Sequence, residues 1–241
     1  MANDVVAQDF QIDPTRHFSI FSPQRFGDTR IDVIGAGATG SSIVLFLAKL
    51  GATNIHVWDF DTIESHNLSN QMYGPSHIGM AKVDALYEVV QYLTGTKIVP
   101  HNEKVTEDTD IPGKYVFLLV DSIAARREIA DNCLDGNMST QTCIETRMGV
   151  ETGWVYTFNP NVPSELAAWK ATLPESDDAA AVETSPCGTP ITVGMQANLI
   201  ASLAVWQFVR AVRHSWTPED PDTEAAEFKV NIAVRPYIMQ F

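Results

Sequence analysis

The 241-residue chain is poor in cysteine and in basic residues, and each shortage excludes a class of protein. It has three cysteines, and no two of them form a Cys-x-x-Cys pair. A four-thiolate zinc site within one chain is therefore excluded, and the sparse, odd count predicts a reducing, cytoplasmic location. Only 16 lysines and arginines stand against 30 aspartates and glutamates, which gives a net charge of -14. So acidic a surface repels phosphate backbones and disfavours nucleic acid as a partner.

The chain also lacks the features of a membrane protein. Its N-terminus has neither a basic start nor a long apolar core, so we expect no secretory signal. Residues 190–209 carry no charge, but Gln196, Asn198 and Gln207 would be costly in hydrocarbon. We interpret this stretch as a buried helix of a protein without a membrane span.

What the sequence does contain is an alternation of apolar strands with amphipathic helices. Strands are expected near 30–35, 54–59, 97–101, 115–120 and 142–148, with helices ending near 50 and spanning about 79–94 and 123–133. This order predicts an α/β fold of the Rossmann-like, doubly wound type, with a mostly parallel sheet. The alternation then stops, and strands near 153–158 and 228–234 are expected to pair antiparallel.

The domain boundaries follow from the breaks in this pattern. Residues 1–28 are predicted to form an irregular N-terminal extension, and residues 29–241 a single domain. Within that domain we expect a polar crossover loop at about 174–188 and an acidic connection at about 217–227. A long helix between them, at about 189–213, presents apolar residues on several faces, which predicts a homodimer interface.

A glycine-rich turn follows the first strand. Gly35 permits a tight turn, Gly37 lets the backbone approach a phosphate, and Gly40 lets the next helix pack against the strand. The helix N-terminus then offers free N–H groups to an anion. Asp59 comes 24 positions after Gly35, at the end of the second strand, where an acid accepts hydrogen bonds from ribose hydroxyls. The sequence therefore predicts a nucleotide site.

More polar residues follow in a fixed order: Asp61, Asn67, Asn70 and Gln71 after the second strand, then Lys82, and then Asp121, Ser122 and Arg126 after the fourth strand. In order and spacing, residues 31–148 resemble the ThiF/MoeB/ubiquitin-activating superfamily of ATP-dependent adenylyltransferases. That family's pattern is GxGxxG, D-x-D-x-[VI]-x-x-S-N-L-x-R-Q, a lysine, and D-N-x-x-x-R. The resemblance resumes more weakly at Cys187–Val209, which is similar to the family's cysteine-containing crossover loop and the helix after it.

The resemblance implies ATP and Mg²⁺ as ligands and assigns a role to each motif residue. The three glycines and Lys82 would bind the triphosphate, Asp59 the ribose, and Asp121 the Mg²⁺. Asn67 and Gln71 would bind phosphate or ribose oxygens. Asp61 would lie near nucleotide and metal, or cap a local turn.

Two further assignments stay open between alternatives. Arg126 would contact a phosphate, or would be an ion-pair partner that orients Asp121. Cys187 would accept the activated acyl group as a thioester, or would be a small residue at a tight Cys-Gly corner. Cys133 and Cys143 fall on apolar faces and are predicted to be core residues.

The chain departs from the family pattern at one charged position. Asn70 replaces an arginine, and an amide cannot supply the charge of a guanidinium that binds phosphate bidentately. Arg16 and Arg25 are candidate substitutes, because family members also use an arginine from the N-terminal segment, sometimes across a dimer. Ser122, in place of asparagine, is a milder change.

These features predict an enzyme that activates a carboxylate by adenylation, with the C-terminus of a small ubiquitin-like or sulfur-carrier protein as the substrate. Three alternatives remain open. The glycine turn and Asp59 would also suit an NAD-dependent oxidoreductase, although no hydride-transfer acid or base is evident. Asn70 would suit a non-catalytic, nucleotide-binding scaffold. ATP-driven dehydration of a modified tRNA base is disfavoured by the acidic charge.

Overall fold

The computed structural model describes residues 12–176, 193–219, 225–235 and 238–240. Cys187 and most of the predicted crossover loop lie outside these described residues. The strands are β1 (Ile31–Ile34), β2 (Ile55–Trp58), β3 (Val99–His101), β4 (Tyr115–Leu118), β5 (Thr142–Met148), β6 (Thr152–Phe158), β7 (Lys229–Arg235) and β8 (Ile238–Gln240). The α-helices are α1 (Pro23–Phe26), α2 (Ala38–Leu50), α3 (Lys82–Thr94), α4 (Ile123–Ile129), α5 (Pro163–Lys170) and α6 (Gly194–Trp216).

All eight strands form one sheet in the order β3-β2-β1-β4-β5-β6-β7-β8. Strands β1 to β5 are parallel, and β6, β7 and β8 each pair antiparallel with the preceding neighbour. The predicted Rossmann-like architecture with antiparallel C-terminal strands is confirmed. The strand order reverses between β1 and β4, and open α/β sheets bind ligands in the crevice at the carboxyl ends of such strands.

Buried apolar side chains form one core on each face of the sheet. The larger core joins α2, α3 and α6 to the sheet, and the second lies under α4 and α5. Phe21 and Phe26, from the predicted N-terminal extension, are buried in the larger core, where Phe26 packs edge-on against Phe208 of α6. Cys133 and Cys143 are both buried, as expected of core residues, and burial raises the pKa of each thiol.

Helix α6 begins and ends later than the sequence indicates. Its N-cap is Val193, so the start expected near residue 189 is wrong, and the predicted cap itself lies outside the described residues. A Cβ atom on Gly194 would lie 3.0 Å from the Ser69 carbonyl oxygen, which shows how closely the helix start packs on that loop. At the other end the helix continues to Trp216, whose ring stacks on the Arg25 guanidinium. No helix among the described residues is long and apolar enough to cross a membrane.

Candidate active site

The glycine turn follows β1 and lies between the carboxyl ends of β2 and β4. Gly35 has a φ of +106° and donates its N–H to the Trp58 carbonyl at 2.8 Å. A Cβ on Gly35 would lie 2.9 Å from the Leu119 carbonyl oxygen, and one on Gly40 would overlap the Gly35 carbonyl oxygen. Gly37, by contrast, has no atom within 4 Å of where its Cβ would be. Two glycines are thus required by packing, whereas Gly37 borders open space at the start of α2.

Asp59 is tied to this turn by its carboxylate. One oxygen accepts the Ala36 N–H at 2.7 Å and the other accepts the Asp61 N–H at 2.9 Å. Burial raises the pKa of Asp59, while the nearby Lys82 ammonium and the two N–H groups lower it. Each oxygen retains a second lone pair, so the ionised carboxylate is held in place and can still accept bonds from a ligand.

Lys82 is not the solvated lysine that a helix start commonly carries. Its side chain is 10% exposed, and its Nζ lies 2.7 Å from Asp61 Oδ2. Its backbone N–H also donates to the Asp61 carbonyl at 2.9 Å. Because a buried ammonium needs a counter-anion, the half-exposed Asp61 neutralises it at the edge of the crevice. The pair places one buried positive charge beside Asp59.

The loop after β2 contains the two predicted amide ligands, and they differ. Asn67 is buried in the 3₁₀ helix Ser65–Ser69, and its Oδ1 accepts the Glu64 N–H at 2.9 Å. Because that oxygen caps the loop, only the Nδ2 of Asn67 could bind a phosphate or ribose oxygen as expected. Gln71 Oε1 is buried and has no hydrogen-bond partner among the described residues, which suits a ligand donor such as a ribose hydroxyl or a metal-bound water.

Asp121 lies at the carboxyl end of β4, close to the glycine turn. Leu119, two residues earlier, donates its N–H to the Ile34 carbonyl and touches Gly35. The Asp121 carboxylate is exposed, and its Oδ1 accepts the Ser122 N–H at 2.9 Å. Ser122 Oγ in turn accepts the Ala125 N–H and caps α4. Among the described residues no three His, Cys, Asp or Glu side chains converge on a metal position.

Arg126 has a partner that sequence reasoning misses. It is buried and pairs with Glu145 of β5, while its Nη1 donates to the Thr146 carbonyl at 2.9 Å. Neither expected alternative, a phosphate contact or a pairing with Asp121, includes this arrangement. The available signal is an acid and a base, Glu145 and Arg147, two residues apart in an otherwise uncharged strand, since that spacing puts both on one face.

Glu145 is the centre of a buried network. Its carboxylate is fully buried and also accepts Arg147 Nε at 3.0 Å and Trp169 Nε1 at 3.2 Å. The rest of the Arg147 guanidinium donates to the carbonyl and hydroxyl of Thr172, just after α5. The network therefore joins α4, which starts beside Asp121, to β5 and α5.

The two candidate substitutes for the missing arginine lie far from the glycine turn. Arg25 donates to the Trp216 carbonyl at 2.8 Å, at the C-terminal end of α6. Arg16 is exposed and neighbours His17, whose Nε2 lies 3.2 Å from the Leu50 carbonyl at the C-terminal end of α2. The turn is at the opposite end of this 13-residue helix, a distance of about 20 Å at the usual rise per residue. Neither arginine can reach the turn of its own chain.

The crevice fits Mg-ATP on three grounds. Gly37 leaves open space where a phosphate would approach the helix start. The buried Lys82 ammonium pairs with the half-exposed Asp61, and a phosphate could share this ammonium. Asp121 offers a free carboxylate edge, and Mg²⁺ commonly needs only one or two carboxylates beside phosphate oxygens and water.

Comparison with known proteins agrees with this geometry. The family model described as "ThiF family" matches residues 15–233. The chain is 31% identical to the Nedd8-activating enzyme E1 catalytic subunit of Drosophila melanogaster over 154 residues, 58% of this chain and 34% of that protein. It is 26% identical to the molybdopterin-synthase adenylyltransferase of Salmonella typhimurium over 157 residues, 61% of each chain. The aligned part is therefore between a third and two thirds of these relatives' length.

Solved structures share the fold at low sequence identity. The E. coli MccB structure with ATP has a TM-score of 0.65 at 12% identity, covering 90% of this chain and 64% of that one. E. coli tRNA N6-threonylcarbamoyladenosine dehydratase, TcdA, has a TM-score of 0.63 at 16% identity, covering 91% of this chain and 99% of that one. With the family match spanning nearly the whole chain and the glycine turn, Asp59, Lys82 and Asp121 gathered at one sheet edge, the protein belongs to the ThiF family.

Proposed function

We propose that this protein is an ATP-dependent adenylyltransferase that activates the C-terminal carboxylate of a small ubiquitin-like or sulfur-carrier protein. The observation that carries the proposal is the buried Lys82 ammonium, which pairs with Asp61 beside Asp59, together with the open space at Gly37. The relatives named Nedd8-activating enzyme and molybdopterin-synthase adenylyltransferase support this substrate class.

In the proposed reaction the protein supplies position and charge. Asp59 holds the ribose, and the glycine turn and Lys82 hold the triphosphate. A carboxylate oxygen of the partner attacks the α-phosphorus, the bond from that phosphorus to the bridging oxygen breaks, and pyrophosphate leaves with the electron pair. The Lys82 ammonium offsets negative charge that grows on the leaving group. Mg²⁺ held by Asp121 would supply further charge neutralisation to the phosphate oxygens.

A second step is proposed at Cys187. Its thiolate would attack the acyl carbonyl of the adenylate, a thioester would form, and AMP would leave with the bond electrons. The support for this step is the family resemblance of the segment Cys187–Val209. Replacement of Cys187 by alanine is expected to leave adenylation intact and to abolish any thioester that survives without reductant.

We further propose that the active species is a cytoplasmic homodimer. Phe46 and Leu50 of α2 line a surface cavity of about 340 Å³ together with Val205 of α6, and His17, Lys49 and Ser202 complete this groove between two helices. Arg16 lies beside this groove and about 20 Å from its own glycine turn. If a second copy binds at this groove, Arg16 of one copy would reach the active site of the other. It would supply there the positive charge that is missing because residue 70 is asparagine.

The test is pyrophosphate exchange into ATP in the presence of Mg²⁺ and candidate carrier proteins with an intact C-terminus. Wild type is expected to exchange only with a matching partner. The rate of pyrophosphate exchange is expected to be at least 100-fold lower in Asp121→Ala, because removal of the metal ligand leaves the phosphate charge without its Mg²⁺. A carrier lacking its C-terminal residue is the matched negative control.

One other function is favoured by a specific observation. Asn70 removes a phosphate-binding guanidinium, which would suit a nucleotide-dependent scaffold without catalysis. If wild type binds Mg-ATP but supports no exchange with any carrier, the scaffold replaces the enzyme as the proposed function.

A further inference from the structure

Three aromatic rings pack together where β2 pairs with the edge strand β3. His56 and Trp58 lie two residues apart on β2, and the strand register places Trp58 beside His101 of β3, so the three side chains share one face of the sheet. The Trp58 and His101 rings stack with their centroids 3.7 Å apart. His56 Nδ1 lies 2.9 Å from His101 Nε2, so the two half-buried imidazoles form a hydrogen-bonded pair.

The surrounding hydrogen bonds fix which ring nitrogens of this pair carry a proton. Asn54 Nδ2 donates to the Asp28 carbonyl at 3.0 Å, which leaves Asn54 Oδ1 as an acceptor 3.1 Å from His56 Nε2. His56 Nε2 therefore carries the proton, and the Nδ1 of neutral His56 accepts a hydrogen bond from the His101 Nε2–H.

Proton uptake would change the pair in two steps. A first proton can be held at His101 Nδ1, which lies 3.9 Å from Glu103 Oε1, and the hydrogen bond to His56 is kept. A second proton would occupy His56 Nδ1 and set two N–H groups against each other, so the hydrogen bond between the rings would be lost.

The charges around the pair keep it neutral at pH 7. Among the described residues, the charged side chains that act on it are Arg30, Asp32, Asp28 and Glu103. Asp32 is already engaged, because it accepts hydrogen bonds from the Arg30 guanidinium, Trp58 Nε1 and the Gly113 N–H. Burial lowers the pKa of both histidines, and Arg30 lowers it further, by more than Asp32 raises it.

His101 also supports the residue that we assign to the ribose. Its carbonyl accepts the Asp59 N–H at 3.2 Å, and Trp58, which stacks on its ring, directly precedes Asp59. Strand β3 has only three residues, lies at the edge of the sheet and contains Pro100, which has no N–H. Side-chain contacts therefore contribute much of its attachment to β2, and loss of the His56–His101 bond would loosen the main-chain support of Asp59.

We propose that the His56–His101 pair is a proton-sensitive support of the nucleotide site: the neutral pair holds β3 against Asp59, and protonation of both rings weakens nucleotide binding. The inference rests on the proposed function for its nucleotide and adds a regulation of that site. It differs from the titration of Asp59 itself, because the protons are taken up by imidazole rings and not by the carboxylate.

The experiment measures Mg-ATP affinity from about pH 8 to about pH 5, the range in which unperturbed histidine titrates. His56→Asn places an amide oxygen near the position of Nδ1, where it can accept the His101 Nε2–H but takes up no proton. His56→Leu removes the acceptor. His214→Asn is the matched control, because His214 lies in the last turn of α6, whereas the first turn of that helix packs on the loop of Ser69 and Asn70.

At the alkaline end His56→Asn is expected to bind Mg-ATP as wild type does, whereas His56→Leu should bind about fivefold more weakly, the effect of one lost neutral hydrogen bond. Toward the acid end wild type should lose about fivefold more affinity than His56→Asn and approach His56→Leu. His214→Asn should follow wild type. The titrations of ATP and of Asp59 are common to all four proteins, so only the differences between their profiles count.

Parallel pH profiles of wild type and His56→Asn would overturn the inference, and so would wild-type affinity in His56→Leu at the alkaline end. Nitrogen-15 NMR of the wild-type histidine rings is a second measurement that needs no variant. Both rings are expected in the Nε2–H form at the alkaline end, and a proton on His56 Nδ1 there would also overturn the inference.

The failure of this inference can be told from that of the proposed function. The expected difference between the profiles, together with no pyrophosphate exchange, would support the histidine pair and contradict the adenylyltransferase. Exchange with parallel profiles would do the reverse. Absence of Mg-ATP binding by wild type at every pH would overturn both.

Discussion

At the scale of the residue, Asp59 holds a charge at the edge of the glycine turn that burial disfavours. Because the folded-state pKa is raised above 3.8, the native protein retains this proton at a pH where the unfolded chain has released it. The free energy of unfolding contributed by Asp59 therefore falls as pH rises from the ordinary aspartate pKa through the raised value. The charge is kept at neutral pH at a cost in stability, as is common for ligand-binding groups.

This raised pKa predicts the acid limit of nucleotide binding. As pH falls, Asp59 takes up a proton and loses acceptor capacity for the ribose, so Mg-ATP affinity is expected to fall at a pH above that of an ordinary aspartate. Asp59→Asn should bind Mg-ATP more weakly and should lack this acid limb. Binding curves for both proteins across pH test it, and because the titration of ATP itself is common to both, only their difference counts. Identical pH profiles would contradict the assignment.

The buried carboxylate of Glu145 is predicted to stabilise the fold. Its removal leaves Arg126 and Arg147 buried without their shared carboxylate, and breaking a buried ion pair costs about 3–5 kcal/mol. Glu145→Ala is expected to lower the free energy of unfolding by that amount in urea titrations. Glu128→Ala, which removes an exposed acid from the same region, should change it by less than about 0.5 kcal/mol. A small effect of Glu145→Ala would mean that the network is solvated.

Sequence reasoning locates some of these residues but does not reveal the partners of others. The positions of Asp59 and Asp121 at strand ends follow from the sequence, because an acid that directly succeeds a buried apolar run marks the point where the strand leaves the core. Asn67 and Arg126 are engaged by Glu64 and Glu145, and such partners depend on tertiary packing that spacing alone does not encode. The ion pair of Asp61 with Lys82 is likewise a tertiary contact.

At the scale of the element, two glycines of the turn have different roles: Gly40 is needed for packing, and Gly37 leaves space for a ligand. Gly40→Ala would drive a Cβ into the Gly35 carbonyl, whereas a Cβ at Gly37 meets nothing within 4 Å, and the Gly37 φ of -75° lies outside the left-handed region. Gly40→Ala is therefore expected to destabilise the fold by several kcal/mol or to prevent folding.

Gly37→Ala is expected to leave the free energy of unfolding within about 0.5 kcal/mol of wild type while weakening Mg-ATP at least tenfold. The reason is that its Cβ would occupy the space left for a phosphate. Thermal unfolding and nucleotide titration on the same samples test the pair. Unchanged Mg-ATP affinity in Gly37→Ala would move the phosphates away from this turn.

The boundaries of helices and strands are predicted best where the hydrophobic pattern of the sequence is strong. β1, β4 and α2 agree closely with the sequence pattern, because buried parallel strands and an amphipathic helix leave distinct signatures. The start of α6 is predicted too early because threonine followed by proline resembles a helix cap, while the structure starts the helix at Gly194, which packs closely against Ser69 and Asn70. That close approach is a tertiary feature and has no local signal.

At the scale of the whole molecule, the doubly wound topology follows from the order of elements, whereas an active dimer is a proposal with its own test. If Arg16 serves the site of the partner copy, Arg16→Ala and Asp121→Ala should each be inactive alone. When the two variants are refolded together, half of the dimers contain one copy of each variant, and one of the two sites in such a dimer is intact. Roughly a quarter of wild-type exchange activity should therefore return. A mixture that dimerises by sedimentation but stays inactive would exclude Arg16 as a shared residue.

In the proposed reaction this cleft joins a carboxylate to the α-phosphorus of ATP. The most direct measurement uses a carrier protein whose C-terminal carboxylate is labelled with oxygen-18, incubated with the enzyme, Mg-ATP and hydroxylamine to discharge the acyl adenylate. Mass spectrometry then follows the label. We predict that one oxygen-18 atom appears in each AMP and none in pyrophosphate. Label in inorganic phosphate, or AMP formed without label, would contradict the account.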